Sequence, residues 1–516
     1  MRYLIALIWL AIFTKKLFFW VYLWQLKEYH IGRFIDHFQT YKGKKLIFNY
    51  LLLVKVLLLL GMIYTARHGL EKAKFFLVYF TAFVFFAESL YIFRAFLRKT
   101  LKKPVLTQKI AVILSTGFSS EILLVFTLFL LEFRLTKFTA TLLLVDILTP
   151  IGFSMLVLAF QPLAVFLRNR ILKQAKLKRA KFLNLITVGI TGSYGKTSTK
   201  EFLAAILSEK FRVLKTKEHQ NSEVGISECI INELRPEHQI FICEMGAYNR
   251  GGIKLLCDIA KPKIGILTGI NEQHMATFGS QENIIKAKYE LIESLPQDGV
   301  AFFNGKNKYC LELYQKTLRP GSGQASIKKH LYGENSGLGL ENFEGAKAVA
   351  KELGMTDQEI ESASRKIENK FPGIKIKDGV NGLKIIDATY SANPDGVIAN
   401  LEYLKTLPGK KIIVMPCLIE LGKASAEVHR RIGQKIAEVC DLAIITTKDR
   451  FKEIKDGTEV GLPSMEVRLQ SILFLEDPKA IFEKIKSTTN PGDVVLLESR
   501  VPSALFYFLG FTIIKS

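Results

Sequence analysis

Before residue 229 the chain has no cysteine at all. The six that follow (Cys229, Cys243, Cys257, Cys310, Cys417 and Cys440) include no CxxC pair and no His/Cys cluster with zinc spacing. That excludes a disulfide scaffold, a zinc knuckle and a thioredoxin-like redox centre, leaving buried thiols of a reducing compartment. Acid is also scarce at the start. Residues 1–181 hold 27 Lys and Arg against 7 Asp and Glu, a net +20 of the chain's +23. A nucleic-acid reader would keep such charge on its folded surface, but residues 182–516 are nearly neutral, so no nucleic-acid partner is expected. No small-residue cleavage site follows the first apolar run, which argues against a signal peptide.

What the first part does have is long apolar runs. A helix needs ~20 apolar residues to cross a bilayer, and five stretches meet or approach this: 3–26, 46–66, 75–97, 110–133 and 138–168. Lys15 and Lys16 interrupt the first, and the fifth is long enough to end in a turn near Pro162. Lys and Arg mark cytoplasmic flanks. They concentrate after the first run (Lys27 to Lys45), after the third (Arg98 to Lys109) and after the fifth, where Arg168 to Lys181 contains seven cations and no acid. Five spans with the N-terminus outside put all three loops, and everything after residue 181, in the cytoplasm. Lys55, Glu88, Glu121 and Asp146 fall inside the spans. Charge at that depth is costly, so each is either functional or paired within the bundle.

At 516 residues the chain needs three or more folding units. Residues 185–190 form a short apolar strand, and Lys200 to Lys210 has helical spacing. Between them runs Gly192-Ser193-Tyr194-Gly195-Lys196-Thr197-Ser198. Strand, Gly-rich loop and helix in that order make a phosphate cradle: Gly192 and Gly195 allow close backbone approach, and amide N–H groups meet phosphate oxygens at a helix N-terminus. Lys196 bridges the β- and γ-phosphates, and Thr197 offers a hydroxyl to Mg²⁺. Ile190 stands where the usual P-loop has its first glycine.

This short form, TGSYGKTS, resembles the phosphate loop of the Mur ligases, and the resemblance continues in order through roughly residues 185–505, closest to the MurF branch. It implies a central ATP-binding α/β domain over 181–370 and a Rossmann-like C-terminal domain over 371–516, after an α-helical transmembrane bundle over 1–180. Thr216 to Gly225 resembles the segment beside the acceptor and γ-phosphate, retaining Asn221, Glu223 and Gly225, with His219 and Ser222 in place of two asparagines. IFICEMGA makes Glu244 a Mg²⁺ ligand, and TGINEQHMATFGS makes His274 a second-metal ligand. In Lys286-Ala287-Lys288-Tyr289-Glu290 the matching lysine is Lys288, carbamylated in the family and so an oxygen ligand; Lys286 is the neighbour most easily confused with it. The C-terminal unit opens near Phe371-Pro372-Gly373. Asp387, Tyr390 and Asn393 match the motif facing ATP, and Glu420-Leu421-Gly422 and His429 to Gly433 match a further run.

Departures fall on recognition. The family's soluble UDP-gripping domain is replaced by spans, and the central domain is short between Asn304 and Phe343. Near adenine only Asn342 is kept, in Glu341-Asn342…Gly345. Pro372-Gly373-Ile374 lacks an Arg, Glu498-Ser499-Arg500 lacks a Lys, and Pro416-Cys417-Leu418 replaces GDM. The resemblance implies an ATP- and Mg²⁺-dependent amide ligase of a cell-envelope precursor, working through an acyl phosphate. Lys196, His274 and Lys288 are its catalytic residues, and its partners are an amino-acid or dipeptide donor, a precursor acceptor and membrane lipid. A catalytically silent ATP-binding relative is the alternative. An ATP-driven transporter is a weaker one, because LSGGQ is absent.

Overall fold

A computed structural model describes residues 1–132, 134–217, 220–319, 326–336, 340–368, 376–389, 393–459 and 468–510. It divides into two compact units, Met1–Asn169 and Arg170–Ser516.

The first unit is helical. Five of its helical stretches are long and apolar enough to cross a membrane: Arg2–Leu26, Tyr41–Arg67, Glu71–Leu97, Gln108–Leu131 and one beginning at Leu135. The first of them is an interior element, with Trp9, Ile12, Leu17 and Val21 fully buried. The lysines that interrupt its apolar run are explained in part, because Lys16 Nζ lies 2.7 Å from the buried Asp146 Oδ1. Lys55 Nζ meets the other oxygen of Asp146 at 2.6 Å and also pairs with Glu88. The buried charges of this unit thus form one network. Glu121 stays outside it, buried, with Oε1 unpartnered among the described residues. The second stretch is capped inside, where Asn49 Oδ1 accepts the Leu52 N–H at 2.8 Å and starts the helix Tyr50–Arg67. The fifth stops at Ala159, and Pro162 sits in the first turn of the following helix, Gln161–Ala180, a position that tolerates its missing N–H.

The second unit begins at Arg170, inside that helix. The polar run 170–180 reads as a cytoplasmic tail of the spans, but Leu172 and Ala175 are buried in the apolar core of the catalytic unit. Arg179 is buried there too. Its guanidinium donates to the carbonyls of Ala260 (3.0 Å), Phe182 (2.7 Å) and Leu185 (3.0 Å) and to Thr187 Oγ1 (3.2 Å).

Two sheets follow. The first contains β1 (Ile186–Thr191), β2 (Val213–Lys215), β3 (Ile240–Glu244), β4 (Ile264–Leu267), β5 (Val300–Asn304) and β6 (Lys328–Tyr332), all parallel, in the order β2-β3-β1-β4-β5-β6. The second contains β7 (Ile376–Asp378), β8 (Lys384–Ala388), β9 (Lys411–Met415), β10 (Leu442–Ile445), β11 (Ser471–Phe474) and β12 (Val494–Glu498), in the order β11-β10-β9-β12-β8-β7, with only β7 antiparallel. Alternate residues feed opposite cores: Phe241 and Cys243 one face, Ile240 and Ile242 the other. Both faces are covered, which is why these strands read as continuous apolar runs. In the first sheet the chain reverses direction of travel between β1 and β4. The crevice at such a switch point, beyond the carboxyl ends of the strands, is where open α/β sheets bind ligands.

Candidate active site

The phosphate loop leaves β1 at that switch. Gly195 has φ 80° and precedes the helix Lys196–Leu207, and a Cβ there would run into Asn342 Oδ1. At Gly192 a Cβ would stand 2.8 Å from the Gly269 carbonyl, so neither position admits a side chain. Lys196 Nζ donates to the loop carbonyls of Gly192 (2.9 Å) and Ser193 (3.3 Å). Burial lowers its pKa, against the pull of Glu244. Ser193 N–H donates to the Gly269 carbonyl at 2.6 Å, and Ser198 lies exposed in the first helical turn.

Register places Glu244, the last residue of β3, beside Ile190 at the base of the loop. Its Oε2 accepts from Thr197 Oγ1 at 3.0 Å, and its Oε1 from Asn221 Nδ2 at 3.1 Å. Lys200 Nζ, fully buried, is 3.2 Å from Oε2. Burial alone would raise the pKa of Glu244; Lys200, Lys196 and the two hydrogen bonds hold it below the ordinary value, so the carboxylate stays ionised. Glu223 opens the helix Glu223–Glu233 directly after Ser222, whose hydroxyl caps it by accepting the Gly225 N–H at 3.3 Å.

The segment after β4 brings in His274, in left-handed backbone at φ 65°. Its Nδ1 lies 2.7 Å from Glu420 Oε2, and the Tyr248 ring packs edge-on at 4.9 Å. Burial lowers its pKa despite Glu420, which favours the neutral imidazole a metal needs. The two lysines of the helix Gln281–Glu293 separate clearly. Lys286 is half exposed and pairs with Glu282 at 2.6 Å. Lys288 is 3% exposed, 5.6 Å above the Phe278 ring, and no carboxylate among the described residues pairs with it. Burial, with Lys196 nearby, lowers its pKa to about 7. Among the described residues no three His, Cys, Asp or Glu side chains cluster as a metal site.

From the second sheet, Asn393 caps the helix Pro394–Lys405, and its Oδ1 accepts both the Gly396 N–H and Asn271 Nδ2 at 3.0 Å. Asn342 stands in the first turn of the helix Glu341–Glu352, with Oδ1 3.3 Å from Thr199 Oγ1. Asp387 accepts from Thr389 Oγ1 at 2.7 Å and Lys377 Nζ at 3.1 Å. Burial would raise its pKa, and these partners lower it on balance. Tyr390, His219 and the segment Phe371 to Ile374 lie outside the described residues.

Residues 190–374 match the Mur ligase middle domain, and residues 374–500 match the Mur ligase glutamate ligase domain. A UDP-N-acetylmuramoyl-tripeptide–D-alanyl-D-alanine ligase of Synechocystis is 31% identical over 332 residues, covering 60% of this chain and 71% of that relative. The chain belongs to the Mur ligase family. The ligase of the same name from Bacillus subtilis is 26% identical over 342 residues, 60% of this chain and 72% of its own. MurF from Acinetobacter baumannii shares the fold, with a TM-score of 0.57 at 22% identity over 66% of this chain and 79% of that one. MurF from Thermotoga maritima in complex with ADP has a TM-score of 0.52 at 25% identity, over 64% and 80%.

This Mur ligase is MurF-like and ATP-dependent and forms carbon–nitrogen bonds; membership disfavours the transporter and silent readings. Three contributors escape a reading of its motifs. Lys200 lies one helical turn after Lys196, and that i, i+4 spacing was the available signal. Asn271 joins Asn393 and donates to Asp395 Oδ2 at 3.2 Å. Glu420 is visible as a motif match but not as the partner of His274, because 146 residues separate them. His429 serves the structure: its buried Nε2 accepts the Leu418 N–H at 3.0 Å, holding the loop that ends at Glu420.

Proposed function

We propose that this ligase joins an amino acid or dipeptide to a peptidoglycan precursor, as the names of its relatives suggest, with D-alanyl-D-alanine the leading amine. The γ-phosphoryl of ATP passes to the acceptor carboxylate, releasing ADP. The amine nitrogen then attacks the acyl phosphate, a C–N bond forms, and inorganic phosphate and a proton leave. Lys196, Gly192, Ser193, Gly195 and Ser198 cradle the phosphates, Asn342 holds the nucleotide beside the loop, and Asp387, Tyr390 and Asn393 hold it from the side of the second sheet. Asn221 and Glu223 face the acceptor.

The observation that carries this reading is the buried Lys288, without a carboxylate partner among the described residues, within electrostatic reach of Lys196 and His274. Carbamylation needs a neutral amine: Nζ attacks CO₂, an N–C bond forms and a proton leaves, giving a carboxylate-like anion. A lysine titrating near 7 supplies that amine at neutral pH. The donor set fits Mg²⁺: Thr197 and Glu244 would offer hard oxygens to one ion, and a carbamate oxygen on Lys288 with the His274 imidazole nitrogen would hold another. Bound Mg²⁺ would neutralise charge on the transferring phosphoryl group.

The five apolar helices belong, in this reading, to a multi-pass cell-membrane anchor with the catalytic domains (181–370 and 371–516) cytoplasmic and with lipid as a partner. The support is the cation-rich flanks and the cytoplasmic location of ATP. The experiment is amine-dependent ADP release by the purified full chain, with UDP-linked and lipid-linked muropeptides offered separately. Absence of amine-dependent release with every acceptor overturns the proposal.

A further inference from the structure

We propose that Glu420 is a positioning residue through which the second sheet's domain completes the metal-holding end of His274. The inference rests on the reading of His274 as a metal-holding residue and adds to it who sets the imidazole, and when.

An ionised carboxylate only accepts hydrogen bonds. Glu420 Oε2, 2.7 Å from Nδ1, therefore fixes the tautomer with the proton on Nδ1 and turns the Nε2 lone pair outward. Carboxylates behind metal-binding histidines orient the ring and raise its basicity in this way. Here the carboxylate comes from a different domain. It reaches His274 because the chain at 420–422 docks by its backbone: the Ala276 N–H donates to the Glu420 carbonyl at 3.1 Å. At Gly422, φ 51°, a Cβ would stand 3.0 Å from Ala276 N, so a side chain would be both strained and tight at this approach. Both ends of the contact are strained, with φ 65° at His274 and 64° at Glu420. Left-handed backbone at non-glycine positions persists only where the surroundings enforce it. The Glu420 side chain is 8% exposed, so the pair is largely out of water.

The consequence is a coupling. When the second sheet's domain is docked, His274 presents Nε2. When it swings away, the ring loses its acceptor and its fixed tautomer. Acyl-phosphate formation is then favoured only with the second sheet's domain in place, which protects the intermediate from water.

The test uses the full chain in detergent or nanodiscs with a non-hydrolysable ATP analogue. Binding of Mn²⁺ is read from the free-Mn²⁺ electron paramagnetic resonance signal, and ADP release is measured in parallel. Glu420→Ala is expected to raise the Mn²⁺ needed for half-saturation by about 10-fold or more, to lower kcat and to leave the KM for ATP within about threefold. Glu420→Gln keeps an acceptor oxygen without the charge and should recover most of the loss, whereas Glu420→Leu, which fills the space without an acceptor, should not. Arg431→Ala breaks another contact between the two domains, Arg431 to Glu272 at 3.3 Å, without touching His274, and should leave the Mn²⁺ titration unchanged. If His274→Ala shifts the titration and Glu420→Ala does not, this inference fails alone. An equal shift from Arg431→Ala also overturns it, because general docking would then be the cause. If His274→Ala shifts nothing, the metal-holding role of His274 fails as well.

Discussion

Lys55 in the helical unit and Lys288 in the catalytic unit are almost equally hidden, 2% and 3% exposed. Their surroundings differ completely. Lys55 sits between Asp146 and Glu88, and Lys16 completes the set on the other oxygen of Asp146. Lys288 has an aromatic ring below it, Lys196 near it and no carboxylate partner among the described residues. The first is a cation kept as a cation by its neighbours. The second is an amine whose burial, with Lys196 adding to it and Glu290 offsetting part, opposes its charge. Burial therefore does not separate a structural lysine from a reactive one; the pairing does.

The largest expected effect comes from removing the group that presses on Lys288. Lys196→Ala should lower ATP turnover by about 10³-fold, as loss of a charge-stabilising donor does. It should also let the Lys288 amine titrate above 7, readable by reactivity towards a lysine-directed reagent. Next is Lys288→Ala, expected to lose about 10²-fold and to be partly rescued by short-chain carboxylic acids that restore the missing oxygens. Rescue absent at Lys288, or any rescue at Lys55, breaks the comparison. Lys55→Met should act on stability instead. It strands Glu88 and leaves Asp146 with Lys16 alone, and should cost about 3–5 kcal/mol in unfolding of the detergent-solubilised chain, with turnover per folded molecule within about twofold.

The smallest effect sharpens the contrast by pH. Lys288 titrates near 7 when folded and near 10.5 when unfolded, so the unfolded chain binds the extra proton between those values. Stability then rises with pH across that window, and the penalty is fully present below about 7. In CO₂-free, metal-free buffer, Lys288→Met should stabilise the chain by on the order of 2 kcal/mol at pH 9, with the gain vanishing above about pH 10.5. A gain that ignores pH would mean that packing, not the buried amine, is responsible.

The parts of this molecule readable in sequence are those whose evidence is contiguous. Strand, loop and helix around Gly192 to Ser198 lie in one short segment, and each apolar span is a single run. The resemblance picks Lys288 over Lys286, but the physical difference between them is burial, which depends on what packs over the helix Gln281–Glu293. The segment 170–180 carries more than its composition tells. Its cations resemble a membrane flank, yet Arg179 finds four acceptors within the catalytic unit. Contacts such as Asn271 to Asn393 and His274 to Glu420 join residues more than a hundred positions apart, and no local pattern announces them.

The thiols offer a practical handle. All six are buried, and burial pushes Cys229 and Cys257 up to about 12, so thiolate is scarce on the native protein. None lies before residue 229. The helical half is thus a blank on which a single introduced cysteine reports its own accessibility to maleimide. One placed in the turn 68–70 should label from outside intact cells. One placed at 101–106 should label only after the cells are opened, which reads the orientation of the spans directly.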